Sequence, residues 1–381
     1  MKLLKTVLAV SAMLSCHANA TSITIEGYTE GQIFDVKNGV AVGRTYNQDH
    51  PFSFNAFRTD LKTEHTEYLE HNNDSWMNAV NDNGDAAGLV CNYIYSTCEP
   101  AVWRESGEVK VFAEDVLAAT EEVKPHAAME SSGYAVSDIN NNGLIVGETK
   151  YGGLNLPPIP DISIGWIYDI NTNEVTILKD TNENIPYTSP NKISENNVVT
   201  GMYRHEIDLG QYLDFSQRPA IWDSEGNITK LSVPNPENLA AFGLTFANII
   251  TDNGKKVLGT LDYHTGTENP LQIVEWNLAS NKMKVIDSPI RSMLVDEDAN
   301  NILTMDKYDF SNYHLIKQNG KSVNISALIS EFGYTTNNAE IAELFNNGKY
   351  LSIFVQDTDG TYKYPVLRNP LMILIKIINL R

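Results

Sequence analysis

The sequence predicts an all-β protein, a β-propeller of four-stranded blades, seven in number. Three observations predict it: a short turn motif that returns along the chain, a second hairpin after most copies, and a spacing that suits one blade per copy. The motif is an Asn/Asp-Gly turn, a few small or β-branched residues, and a glycine. It occupies 35–43, 80–88 and 139–147, the last reading Ile139-Asn140-Asn141-Asn142-Gly143-Leu144-Ile145-Val146-Gly147. Looser copies lie at 193–201 and 250–259, and two more, around 298–304 and 344–352, keep the polar turn but lack the final glycine.

The second element is an apolar strand usually ending in Trp, then a turn and a short strand. Pro100-Ala101-Val102-Trp103, Ile164-Gly165-Trp166, Pro219-Ala220-Ile221-Trp222 and Ile273-Val274-Glu275-Trp276 are the clear examples. Turns such as Glu105-Ser106-Gly107 and Ser224-Glu225-Gly226 carry the residues tight hairpins need. Weaker counterparts fall at 54–58, 313–325 and 362–367. Successive glycines Gly43, Gly88, Gly147, Gly201 and Gly259 stand 45 to 59 residues apart, the length of two hairpins in a row. A β-sandwich does not repeat such a unit, and a leucine-rich solenoid has a shorter period.

Ring closure protects strand edges. Segment 23–33 is expected to supply or complete a strand of the closing blade. The β-branched run 371–378 is a second candidate, as outer strand of the last blade, and is too short to span a bilayer as a helix. Trp103, Trp166, Trp222 and Trp276 read as core residues recurring at one blade position.

Residues 1–20 have the three parts of a secretory signal: Lys2 and Lys5, an apolar run over 7–14, and Ala18-Asn19-Ala20 before Thr21. The expected organisation is therefore a signal peptide, 1–20, and a single propeller domain, 21–381, in the periplasm or outside the cell. Removing the signal removes Cys16 and leaves Cys91 and Cys98, expected to form a disulfide that staples the ends of one hairpin loop. The formal charge is −20, and losing the two signal lysines makes the remainder more acidic still. Phosphate binding needs clustered Lys and Arg, so this balance argues against nucleic acid and anionic lipid as partners.

The repeats resemble the HAF-repeat family of bacterial extracellular proteins, named for a His-Ala-Phe motif after an Asn-Asn-x-Gly-x-Val-x-Gly segment. Asn55-Ala56-Phe57 stands nearest that tripeptide; Ala101-Val102-Trp103, Gly165-Trp166 and Ala220-Ile221-Trp222 lack the histidine. The resemblance implies an exported protein and transfers no catalytic residue.

No Gly-x-Ser-x-Gly elbow, His-Glu-x-x-His helix or phosphate-binding Gly-rich loop is present, so no catalytic residue, metal site or cofactor is assigned. The Asx-rich stretches 138–143 and 357–360 present oxygens at alternate positions, as calcium loops do, but lack a downstream acidic ligand and read as hairpin turns. A tyrosine follows the turn in six copies: Tyr46, Tyr93, Tyr151, Tyr203, Tyr263 and Tyr308. Polar neighbours single out Tyr46 with His50, Tyr203 with Arg204 and His205, and Tyr263 with His264 as ligand-binding candidates; the competing role is packing between blades. The long loops 113–133 and 150–163 are further candidates. The function expected is a non-enzymatic binding or interaction module that recognises a glycan or protein through loops on one propeller face. The alternatives are a propeller hydrolase or lyase acting on extracellular polysaccharide, and a structural surface protein.

Overall fold

In a computed structural model, the described residues form seven four-stranded antiparallel sheets. Residues outside the description are 1–24, 30, 47–52, 70–73, 93–96, 126–130, 153–161, 181–185, 209–212, 235–244, 251–253, 263–270, 287–291, 299–300, 307–312, 318–321, 326–339, 346–349, 357–361 and 369–381. Blade 1 is β2 (Gln32–Lys37), β3 (Val40–Tyr46), β4 (Phe54–Asp60) and β5 (His65–Tyr68). Blade 2 is β6 (Ser75–Val80), β7 (Ala86–Asn92), β8 (Thr97–Trp103) and β9 (Val109–Val111), followed by helix α1 (Ala113–Val123). Blade 3 is β10 (Ser131–Ile139), β11 (Leu144–Tyr151), β12 (Ile162–Asp169) and β13 (Val175–Ile177); blade 4 is β14 (Thr188–Ile193), β15 (Val199–Asp208), β16 (Leu213–Trp222) and β17 (Ile228–Lys230). Blade 5 is β18 (Phe246–Ile250), β19 (Lys256–Asp262), β20 (Leu271–Asn277) and β21 (Lys282–Ile286); blade 6 is β22 (Ser292–Asp298), β23 (Asn301–Asp306), β24 (Tyr313–Lys317) and β25 (Ser322–Asn324).

Blade 7 joins β26 (Glu340–Phe345), β27 (Tyr350–Gln356) and β28 (Tyr362–Arg368) to β1 (Ile25–Thr29), which pairs with β28 on its outer edge. The first strands of neighbouring blades touch all the way round, β2 meeting β26, so the ring is closed. Segment 23–33 thus supplies the closing strand through β1. The run 371–378 lies outside the described residues, and the place on β28 expected for it is taken by β1.

The repeat glycine has a specific cause. In all seven first strands a β-bulge interrupts the ladder, between Ile33 and Asp35, Met77 and Ala79, Val136 and Asp138, Pro190 and Lys192, Ala247 and Ile249, Leu294 and Asp296, and Ile341 and Glu343. Gly43, Gly88, Gly147, Gly201 and Gly259 each pair with the residue just before the bulge. The bulge bends its strand over that partner. A Cβ on Gly147 would sit 2.2 Å from the Ala135 carbonyl oxygen, and one on Gly43 only 1.9 Å from that of Gln32.

In blade 3 the apolar residues of the second strand alternate between the two neighbouring blades. Ile145 joins a cluster with Ala79, Leu89 and Val136, whereas Val146 joins Ile193, Val199 and Trp222. The core is therefore a series of layers between sheets, and helix α1 adds Val116 to the blade 2–3 layer. The tryptophans are buried as expected but do not share one position. Trp103, Trp222 and Trp276 pair with the residue two before the repeat glycine, while Trp166 pairs with Gly147 itself and Tyr168 occupies the other position. Both positions lie on the same face of the strand, because side chains alternate with period two. A ring at either one fills the same layer, so the motif could not separate them.

The Asx turns act as latches between blades. Asn140 accepts the N–H groups of Asn142 (3.1 Å) and Leu144 (3.0 Å) through Oδ1, closing its own turn. Its Nδ2 donates to the Ser194 carbonyl (2.9 Å) and to Asn197 Oδ1 (2.8 Å) of the next blade. Asn81 repeats the arrangement one blade earlier, with Oδ1 accepting from Asn83 and Asp85 and Nδ2 donating to the Asn140 carbonyl (3.1 Å). The left-handed position in these turns is filled by Gly84 (φ +84°), Gly143 (φ +80°) and Asn197 (φ +62°), residues that tolerate it. Within 138–143, Asn140 Oδ1 serves the turn, and Asp138 Oδ2 accepts the Ile193 N–H at 2.8 Å. The stretch 357–360 falls outside the described residues.

Candidate functional site

Consecutive antiparallel strands place the first and third connections of every blade on one face of the ring and the remaining connections on the other. The Asx latches occupy the first, turn face. The loop face receives the ends of the second strands, and there the blade 4 hairpin stands apart. β14 begins at Thr188 opposite Tyr203, but β15 continues to Asp208, paired with β16 back to Leu213. Residues 204–208 therefore extend beyond the inner strand. Arg204 and His205 ride on this projection, half-buried and exposed respectively.

Tyr187 completes the arrangement. Its carbonyl accepts the Arg204 N–H (3.1 Å), its own N–H donates to Asp180 Oδ2 (2.7 Å), and the Arg204 guanidinium lies 3.9 Å from its ring centroid. A guanidinium stacked on a phenol is a flat plate with hydrogen-bond donors around its rim. On the second strand of blade 3, Glu148 is buried. Its carboxylate accepts from Ser163 Oγ (2.8 Å) and pairs with Lys150 Nζ (3.1 Å). Ser163 Oγ also reaches the Thr188 carbonyl (3.2 Å), tying blades 3 and 4 together.

Tyr203 is placed differently from its neighbour. It is buried in the layer with Val146, Ile167, Leu178 and Trp222, with Lys230 Nζ 5.1 Å from its ring centroid. Burial holds its phenol above the usual tyrosine range, with nearby Arg218 opposing the shift and Asp180 adding to it. Tyr151 is likewise buried, donates to Thr120 Oγ1 of helix α1 (2.7 Å), and is pushed up to about 12, chiefly by burial. The tyrosines also differ in register: Tyr203 follows its glycine by two residues, Tyr46 by three and Tyr151 by four. Tyr46 ends β3 and its side chain is outside the description, as are His50, Tyr93, Tyr263, His264 and Tyr308.

Of the loop candidates, 113–133 supplies helix α1, whose preceding Phe112 stacks on Tyr168 at a 4.0 Å centroid separation. Residues 153–161 of the other are outside the description. Cys91 and Cys98 face each other across β7 and β8 and are joined in a disulfide, at the ends of a blade 2 loop on the loop face. Among the described residues no group of three or more His, Cys, Asp or Glu is placed to hold a metal ion, and no helix is long and apolar enough to cross a membrane.

Sequence reasoning missed Tyr187, Asp180, Glu148 and Arg218. Arg218 carried a usable signal, a charged residue just before the apolar Pro219-Ala220-Ile221-Trp222 strand, where it is buried opposite Tyr203. Tyr187 and Asp180 sit between repeats and carried none.

A family model described as "Protein of unknown function (DUF3466)" matches residues 27–183, which begin within β1 and run through blades 1 to 3. No curated protein matches the chain in sequence. Among solved structures, the β-propeller domain of the Trilobed protease from Pyrococcus furiosus, described as having an open velcro topology, is similar with a TM-score of 0.54 at 11% identity, over 90% of this chain and 94% of that one. An oligogalacturonate lyase in complex with manganese gives 0.53 at 12%, over 90% and 89%, and the polysaccharide lyase Uly1 gives 0.51 at 8%, over 93% and 95%. At such identities the likeness shows the fold alone: this chain is a β-propeller, with β1 from its N-terminal part closing blade 7.

Proposed function

We propose that the protein is an exported binding module, related to the HAF-repeat proteins, that recognises a glycan on its loop face at the projecting blade 4 hairpin. The observation that carries this reading is the Arg204–Tyr187 plate, with His205 exposed beside it. Sugars offer an apolar ring face to a flat surface and hydroxyls to its polar rim, and such a plate meets both. The disulfide at Cys91–Cys98 and the leader-like residues 1–20 support an oxidising, extracytoplasmic setting.

A second reading, a hydrolase or lyase acting on polysaccharide, draws on Glu148. Its buried carboxylate, held beside Lys150 and Ser163, is a group that proton-transfer chemistry would use. The test is a polysaccharide panel on the purified protein, scored for binding and for chain cleavage in the same wells. Binding without cleavage, reduced about tenfold or more by Arg204→Ala with an unchanged melting temperature, is the expected result. Cleavage abolished by Glu148→Gln replaces it with the second reading, and silence in both channels points to a protein partner or a structural surface role.

A further inference from the structure

The described residues contain three complete Asn-Gly steps, Asn38-Gly39, Asn83-Gly84 and Asn142-Gly143, each in the first turn of its blade. Asn-Gly is the step at which an asparagine can modify itself. The glycine backbone nitrogen attacks the asparagine Cγ, the side-chain nitrogen leaves as ammonia, and water opens the resulting succinimide to aspartate or isoaspartate. Water is the only co-reactant, and no enzyme or oxidant is required. The reaction needs a side chain free to swing onto the following nitrogen, and a glycine nitrogen not already committed.

Two of the three steps are locked on both counts. The Gly84 and Gly143 N–H groups donate to the carbonyls of Asn81 (3.0 Å) and Asn140 (3.1 Å), and both glycines are buried. The Asn83 side chain donates to the Asn141 carbonyl at 3.0 Å, and that of Asn142 to the Glu195 carbonyl at 2.9 Å and Asn197 Oδ1 at 2.8 Å. Asn38-Gly39 is built differently. It is a two-residue turn with both residues exposed and at positive φ, 47° and 82°. Nothing lies within 4 Å of the Gly39 Cβ direction, and the Asn38 side chain makes a single long bond, Nδ2 to the Asp82 carbonyl at 3.4 Å.

We infer that Asn38 is a self-modification site of the folded protein, converted to aspartate and isoaspartate while Asn83 and Asn142 are protected by the latches between blades. The product replaces the amide donor facing the Asp82 carbonyl with a carboxylate, turning the latch between blades 1 and 2 into a repulsive contact. It also adds negative charge to an already acidic chain.

The experiment is peptide mapping of the folded protein after incubation at mildly alkaline pH, resolving aspartate from isoaspartate at all three sites, beside the same chain held unfolded in denaturant. Conversion at Asn38 at least about tenfold faster than at Asn83 and Asn142 in the folded protein, with the three rates converging when unfolded, is expected, since each protected site must first break two or more hydrogen bonds. Equal or slower conversion at Asn38 in the folded protein overturns the inference. So does an equal preference for Asn38 in the unfolded chain, which would trace it to local sequence rather than to the latches.

Discussion

At Tyr151 burial keeps the phenol protonated in the folded protein to about pH 12, against an ordinary value of 10, while its hydrogen bond to Thr120 opposes that shift. Between those values the unfolded chain loses the proton while the folded chain retains it. The folded state then binds more protons, so stability falls as pH rises through this window. Tyr151→Phe should cost about 1 kcal/mol at neutral pH through the lost hydrogen bond. Denaturant titrations at successive pH values should show the wild-type advantage shrinking between pH 10 and about 12. Gly147 is constrained by space instead. An added methyl meets the Ala135 carbonyl at 2.2 Å and the Trp166 ring at 2.4 Å, neither of which can move without disturbing the bulge or the layer. Gly147→Ala should therefore lower stability by roughly 2–4 kcal/mol, measured by urea unfolding.

Among elements, the first turn of each blade is also a joint to the next. Asn140, almost fully buried, satisfies two backbone donors of its own turn and reaches two acceptors of blade 4. Asn140→Ala leaves those groups without these bonds, and a loss of about 2–4 kcal/mol is expected in thermal or urea melts. Asn140→Asp, which keeps the acceptor but not the donor, should lose less if turn closure dominates and as much if the joint to blade 4 does. The turns were legible in the sequence because Asn, Asp and Gly at fixed offsets report local backbone demands. Their reach across blades was not, since each partner lies more than fifty residues away. Spacing from a turn likewise could not separate packing from ligand binding for the recurring tyrosines: Tyr203 and Tyr151, two and four residues past their glycines, are both buried.

For the whole molecule, one short strand completes the closing blade. β1 covers the outer edge of β28, pairing Ile25 with Leu367 and Thr29 with Tyr364, and contributes the fourth strand of blade 7. Deleting residues 25–29 should expose that edge to other chains. Size-exclusion chromatography should then show oligomers or aggregates with a lowered melting temperature; a monomer with unchanged stability would show that β1 is dispensable for closure.

The sequence by itself determined the blade count, the four-stranded unit, the turn chemistry and the disulfide pair, because, outside the closing blade, each rests on interactions among residues close in the chain. Tertiary structure decided whether each tryptophan would lie opposite the repeat glycine or the residue two before it, which tyrosines would be buried, and that Tyr187 would meet Arg204. Side-chain alternation makes positions two apart equivalent to any motif, and the bulges and packing of neighbouring sheets choose between them. The glycine joins the two levels. Its recurrence was visible in the chain, but the carbonyl that forbids any other residue there comes from a strand whose bulge only the folded blade reveals.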